Sequence, residues 1–241
     1  VSGSPPPPSP PRPPPSASPT ARSPTGGSRS RRAPPARPGA SFGPVVANGN
    51  GNNGIYSLVA GEDTAISAFL DTHASQNGSF GFDVTTVATD GTAVSAFLSS
   101  DFLYDIAGEI YDLPEEIGLP GLGGIQANDN DLGGILSTTI GYDSASALFA
   151  GVQANNNGTL PDRRGDVLGD GIRAGLLSED GSANAYFVGI EANENVGNGL
   201  FLNAESLFDV DAVALYVDAN ANLRDGLTTD AERLQRLAAV L

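Results

Sequence analysis

The chain has 241 residues with no cysteine, methionine or tryptophan, and it carries 28 acidic against 12 basic side chains for a net charge of −16 at pH 7. The missing cysteines exclude a disulfide framework, and no run of about 18 apolar residues is present to make a membrane-spanning helix. With no methionine, Val1 is not an initiator, and the chain reads as processed or as a fragment from which any signal peptide has gone.

Residues 1–41 differ in composition from the rest of the chain. The first 40 hold 14 of the 18 prolines and six of the 12 arginines, with no acid at all. Such a stretch samples polyproline II and cannot build a packed core, so it is expected to be a disordered or polyproline II tail. The run Ser4-Pro5-Pro6-Pro7-Pro8 resembles the repeat of extensin-like, hydroxyproline-rich wall glycoproteins. That resemblance implies modified prolines and a secreted or cell-surface protein; a plain spacer is the alternative. Beyond residue 40, six arginines face all 28 acids, a net −22. A polyanion of this kind repels nucleic acid and anionic membranes, so neither is expected as a partner. It also repels polyuronates.

From residue 47 a motif Ala-Asn-x-Asn recurs, at Ala47-Asn48-Gly49-Asn50, Ala127-Asn128-Asp129-Asn130, Ala154-Asn155-Asn156-Asn157, Ala192-Asn193-Glu194-Asn195 and Ala219-Asn220-Ala221-Asn222. Unit starts at Ala47, Ala74, near Asp101, Ala127, Ala154, Ala192 and Ala219 are spaced by 27, 27, 26, 27, 38 and 27 residues. A fixed period of this length signals a solenoid. Each unit continues with Gly and a short apolar strand, as in Gly54-Ile55-Tyr56, Gly134-Ile135-Leu136, Gly171-Ile172-Arg173 and Gly199-Leu200-Phe201. A second strand follows at Thr64 to Leu70, Thr92 to Leu98, Ser144 to Val152, Ser182 to Ile190 and Asp211 to Val217.

Two strands per unit fit either a meander or a coil. In a meander, equivalent residues lie two strands apart, roughly 9–10 Å, too far for asparagines to touch. In a parallel coil they stack at about 4.8 Å and their amides form a ladder. The expected ladder is Asn48, Asn50, Asn128, Asn130, Asn155, Asn157, Asn193, Asn195, Asn220 and Asn222. An alanine column of Ala65, Ala93, Ala145, Ala183 and Ala212 is expected at a tight interior corner.

These Asn turns and Gly-Ile strands resemble those of the right-handed parallel β-helix proteins of the pectin-lyase-like superfamily, over roughly residues 42–227. The resemblance implies an all-β fold: a right-handed parallel β-helix solenoid of about seven coils. It does not imply one activity, since that superfamily holds lyases, hydrolases, epimerases, adhesins and structural proteins. Its polygalacturonase-type motifs are missing from this chain.

Two stretches break the rhythm and are candidate binding loops, because loops on a rigid solenoid are where binding resides. One carries Tyr111, Leu113, Glu115 and Glu116. The other carries Asp162, Arg163, Arg164, Asp166 and Asp170, where arginines between acids suit a carboxylate or a sugar hydroxyl network. Glu115 and Glu116, as neighbours on an extended chain, point oppositely and make a poor acid and base pair. No catalytic residue is assigned. Asp218, Asn220, Asn222 and Asp225 have the alternating oxygens of a calcium loop, the one cofactor the residues suggest, although Leu223 stands where such a loop needs Gly. Asn77-Gly78-Ser79 and Asn157-Gly158-Thr159 are glycosylation sequons, with Asn157 unable to serve both a glycan and an interior ladder.

Residues 228–241 are expected to form a capping helix, since Leu234, Leu237, Ala238 and Leu241 share one helical face behind Thr228-Thr229-Asp230. The opposite end has no visible cap, so head-to-tail self-association is expected, with glycans as further partners. The functional expectation is a secreted, noncatalytic structural or assembly module of an extracellular surface or filament. The alternatives are a carbohydrate-active lyase or hydrolase and a glycan-binding adhesin.

Overall fold

Every strand-to-strand pairing among the described residues is parallel. The computed structural model describes residues 39–103, 124–159 and 169–240, with the backbone pairing alone for 230–240. The strands are β1 (Gly39–Phe42), β2 (Ile55–Gly61), β3 (Thr64–Leu70), β4 (Phe80–Ala88), β5 (Thr92–Leu98), β6 (Ile125–Gln126), β7 (Gly133–Gly141), β8 (Ser144–Gln153), β9 (Ile172–Ser178), β10 (Ser182–Glu191), β11 (Leu200–Asp218) and β12 (Leu227–Val240). They form one sheet wound about 315° round an axis, a parallel β-solenoid.

Each coil has two broad faces and one narrow one. The first face stacks β2, β4, β7, β9 and the start of β11; the second stacks β1, β3, β5, β8, β10 and the end of β11. A residue with positive φ then bends the chain: Asp71, Gly124, Gly151, Gly189 or Tyr216. Beyond it lies a face two residues wide, where His73, Gln126, Gln153, Glu191 and Asp218 form one column.

Alternation along each strand sends one set of residues inward. Phe42, Phe69, Phe97, Phe149 and Phe187 stack ring on ring at 4.9–5.0 Å. Phe82 meets Phe69 and Phe97 edge-on from the first face, both at 5.6 Å. Next to this column the interior turns polar: Thr86 Oγ1 donates to Ser67 Oγ at 2.7 Å and Thr139 Oγ1 to Ser95 Oγ at 2.9 Å. At the far corner Ala65, Ala93, Ala145 and Ala183 are fully buried in register. The next residue of that column is Val210, not Ala212, which instead lies against Ala185. The β11 segment extends the second face two residues earlier than the expected strand at Asp211, and this shifts the alignment.

Four other expectations are corrected. No coil starts near Asp101: His73 bridges directly to Gln126, and β4 and β5 lie directly against β7 and β8. The 53 residues from Asn77 to Asn130 therefore make one coil with a long excursion, and six stacked Asn turns are present among the described residues where seven coils were expected. The tail boundary moves from residue 41 to before Gly39, because β1 pairs with β3. The capping helix is absent, and β12 is instead a parallel strand along β11. Apolar spacing is a weak prior against the long, unpaired backbone edge of β11, whose donors and acceptors β12 satisfies. Finally, Asp170 belongs to the stack and not to a loop.

Candidate functional site

The asparagine turn is two columns with opposite polarity. In the inner column, the backbone N–H and the Nδ2 of each asparagine both donate to Oδ1 of the asparagine in the next coil. The chain of bonds runs Asn50 to Asn77, Asn77 to Asn130, Asn130 to Asn157, Asn157 to Asn195 and Asn195 to Asn222, all at 2.9–3.1 Å. In the outer column the bonds run backwards: the backbone N–H of Ser75 donates to Asn48 Oδ1, Asn155 to Asn128, Asn193 to Asn155 and Asn220 to Asn193 at 2.6–2.8 Å. Ser75 fills the outer position of its coil, where its Oγ accepts from the Asn128 N–H at 3.1 Å.

A left-handed residue marks every one of these turns. The residue between the two columns, Gly49, Gln76, Asp129, Asn156, Glu194 or Ala221, has φ between 54° and 69°. Only the first is glycine, so five side chains accept the left-handed conformation in exchange for the rungs on either side.

The glycine that opens each first-face strand is a consequence of the inner column. A Cβ on Gly54, Gly81, Gly134, Gly171 or Gly199 would lie 2.5–2.9 Å from the Nδ2 of Asn77, Asn130, Asn157, Asn195 or Asn222, respectively. The Gly-Ile motif is thus a seat for the amide of the next rung.

Asn77 has a sequon pattern, yet it is an inner rung, with Ser75 and Gln76 replacing the usual residues before it. Both Asn77 and Asn157 are buried, at 1% and 0% exposure, with their side-chain nitrogens bonded to the next rung. A glycan needs that nitrogen in solvent, so neither sequon is available in the folded chain.

The candidate calcium ligands take part in hydrogen bonds around the last turn. Asn222 Oδ1 accepts from Asn195 and its Nδ2 donates to Ala192 O at 3.0 Å. Asn220 Nδ2 donates to Asp218 Oδ1, while Asp225 accepts from Thr228 Oγ1 at 3.3 Å. Among the described residues no group of three His, Cys, Asp or Glu converges. His73 sits in the Gln and Glu column as expected from its position in the repeat.

Tyr111, Leu113, Glu115 and Glu116 lie outside the described residues, as do Asp162, Arg163, Arg164 and Asp166. Asp170, the last of the second set, is 5% exposed. Its Oδ1 accepts from the Asn198 backbone at 2.7 Å and from Asn198 Nδ2 at 3.0 Å, a second, shorter ladder at the foot of the first face. Its Oδ2 holds the Arg173 guanidinium through Nε and Nη2, both at 2.6 Å.

That pair positions Arg173 over the ring of Phe201, 4.5 Å from its centroid. Arg173 belongs to an outward column of the first face, Tyr56, Asp83, Leu136, Arg173, Phe201 and Thr228. Asp83 accepts from Asn53 Nδ2 at 2.9 Å, and burial nevertheless pushes its carboxyl above the usual 3.8. Sequence reasoning missed this column, because its members share no residue type and become neighbours only when the coils are aligned.

No helix among the described residues is long and apolar enough to cross a membrane. Compared with known protein families, curated proteins and solved structures, the chain matches none.

Proposed function

We propose that the chain is a noncatalytic structural module, a stiff β-solenoid secreted to or displayed on an extracellular surface, where it serves assembly. The observation that carries this reading is the double asparagine ladder. Its amides bond coil to coil through the length of the described solenoid and so rigidify the rod. Kinship with the pectin-lyase-like β-helix proteins and an extensin-like, modified tail form part of the same proposal, supported by the parallel coils and by the Ser4 to Pro8 run.

The test is incubation of the purified chain with alginate, pectin and glucan panels. No new reducing ends or unsaturated products are expected. Cleavage that disappears in the double variant Arg163→Ala, Arg164→Ala would replace this reading with a carbohydrate-active enzyme.

A glycan-binding adhesin is the second reading. Its support is the outward column in which the ring of Tyr56, 65% exposed, lies on the same face as the Arg173 and Phe201 pair. Aromatic faces beside charged hydrogen-bonding groups suit sugar rings. Glycan-array binding abolished by Tyr56→Ala would favour it.

A further inference from the structure

The outward side of the second face is unlike the rest of this polyanion. The stretches Thr64 to Leu70, Thr92 to Leu98, Ser144 to Ala150 and Ser182 to Val188 contain no charged residue, in a chain with 28 acids and 12 bases. Their alternate residues point outward, and Ile66, Leu70 and Tyr186 are 37%, 38% and 40% exposed. A contiguous apolar surface of this kind marks a place of contact.

Its relief is ordered by the register. One outward column runs Ile66, Val94, Ser146 and Asn184. The column beside it runs Ala68, Ala96, Leu148 and Tyr186. Over β3 and β5 the bulk stands in the first column, and over β8 and β10 it stands in the second. Every coil thus sets a larger side chain beside a smaller one, two residues apart on one strand.

We infer that the partner of this face is the same face of a second copy, related by a two-fold axis that runs along the solenoid between these two columns. That operation lays the first column of one copy on the second column of the other, coil on coil. Ile66 then meets Ala68 of the second copy, Val94 meets Ala96, Leu148 meets Ser146 and Tyr186 meets Asn184. Large lies on small in every coil, which is how two packed layers interdigitate. The contact is isologous, so it closes as a dimer.

Charge and area support the same arrangement. The corner that leads into the face carries an exposed aspartate in each coil, Asp63, Asp90, Asp143 and Asp180. A two-fold axis along the strands would set these ridges against each other, whereas the axis along the solenoid places them on opposite margins. The four strands span about 19 Å by 23 Å, and β1 and β11 widen the face to about 29 Å. Two such faces cover about 1,300 Å², the size of a stable protein interface.

The inference rests on the structural-module reading and specifies its partner surface. The test is sedimentation of the full chain over a dilution series, with circular dichroism to confirm the fold of each variant. Wild type is expected to move from monomer to dimer as concentration rises. Ala96→Glu is expected to stay monomeric and folded, whereas Thr138→Glu, the same charge change on the first face, is expected to dimerise as wild type does. The chain has no cysteine, so a short bismaleimide reads the register: a mixture of Val94→Cys and Ala96→Cys proteins is expected to cross-link, and a mixture of Ala96→Cys and Leu148→Cys is not. A monomeric wild type, an Ala96→Glu variant that dimerises, loss of the dimer in Thr138→Glu, or the opposite cross-linking pattern overturns the inference. Polysaccharide cleavage would instead overturn the module reading and leave the face contact standing.

Discussion

Asn157 Oδ1 accepts two hydrogen bonds from one residue, from the Asn130 backbone N–H at 3.0 Å and from Asn130 Nδ2 at 3.1 Å. Asn157 in turn donates both of its own groups to Asn195, and it is fully buried. Asn157→Ala therefore strands two donors of Asn130 and weakens the hold on one acceptor of Asn195. At about 1–3 kcal/mol for each unsatisfied buried group, the loss is about 3 kcal/mol or more. Asn48→Ala, at an exposed end, costs about 1 kcal/mol or less. Denaturant midpoints of the two variants check the contrast, and equal shifts would contradict the ladder's role.

The left-handed residue of each turn predicts a gain. Glu194 has φ of 58°, and a non-glycine residue held there costs about 1–2 kcal/mol. Glycine removes that strain and returns part of it as chain entropy. Glu194→Gly is expected to raise the melting temperature, whereas Gly171→Ala, whose Cβ would lie 2.7 Å from Asn195 Nδ2, lowers stability by about 1–3 kcal/mol. Calorimetry on both variants decides, and a stable Gly171→Ala protein would show that the amide has room to move.

Phe149 lies between Phe97 and Phe187 in the ring stack, at 4.9 and 5.0 Å. Truncation to alanine opens a void in the most tightly shared part of the interior and costs about 3–5 kcal/mol. Phe149→Leu keeps most of the apolar volume and loses chiefly ring stacking, about 0.5–1.5 kcal/mol. Urea unfolding followed by tyrosine fluorescence and circular dichroism measures both.

Asp83 supplies a pH dependence with a definite sign. Burial raises its folded pKa above 3.8, the Asn53 hydrogen bond only partly opposing this, so the folded state holds the proton more firmly than the unfolded chain does. Its contribution to stability is fully present below pH 3.8 and is lost as pH rises through the folded value. Asp83→Asn is therefore expected to stabilise the protein at neutral pH and to lose that advantage as the medium is acidified to about pH 3. Melting curves across that range check it; a constant difference would show that the carboxylate is fully solvated.

The ladder was legible because one four-residue motif recurs with the same residues, and like-on-like stacking is what a parallel coil permits. Asn77 is hidden in the sequence because Ser75 and Gln76 replace its neighbours and because it also reads as a sequon. The phenylalanine stack is hidden by uneven spacing: 28 residues separate Phe69 from Phe97, 52 separate Phe97 from Phe149 and 38 separate Phe149 from Phe187. Residues 228–241 mislead for a physical reason. Helical spacing of leucines is a local signal, whereas the pull of a long unpaired strand edge is set by the fold. Asp170 reads as a loop residue because it follows Pro161 to Gly169 in sequence, although its carboxylate occupies the position of Asn198 and Asp225.

The coil between Asn77 and Asn130 exceeds its neighbours by a whole unit of sequence, yet the chain departs after Ser99 and rejoins at Gly124 with the pairing on both sides undisturbed. The departure point is braced: Ser99 N–H donates to Ala150 O at 2.9 Å, and the Ser100 backbone donates to Asp71 Oδ1 at 2.8 Å. The bend of the rod is consequently a port. Sequence length between the two flanking strands is thus free of the spacing that the stack imposes on the other coils.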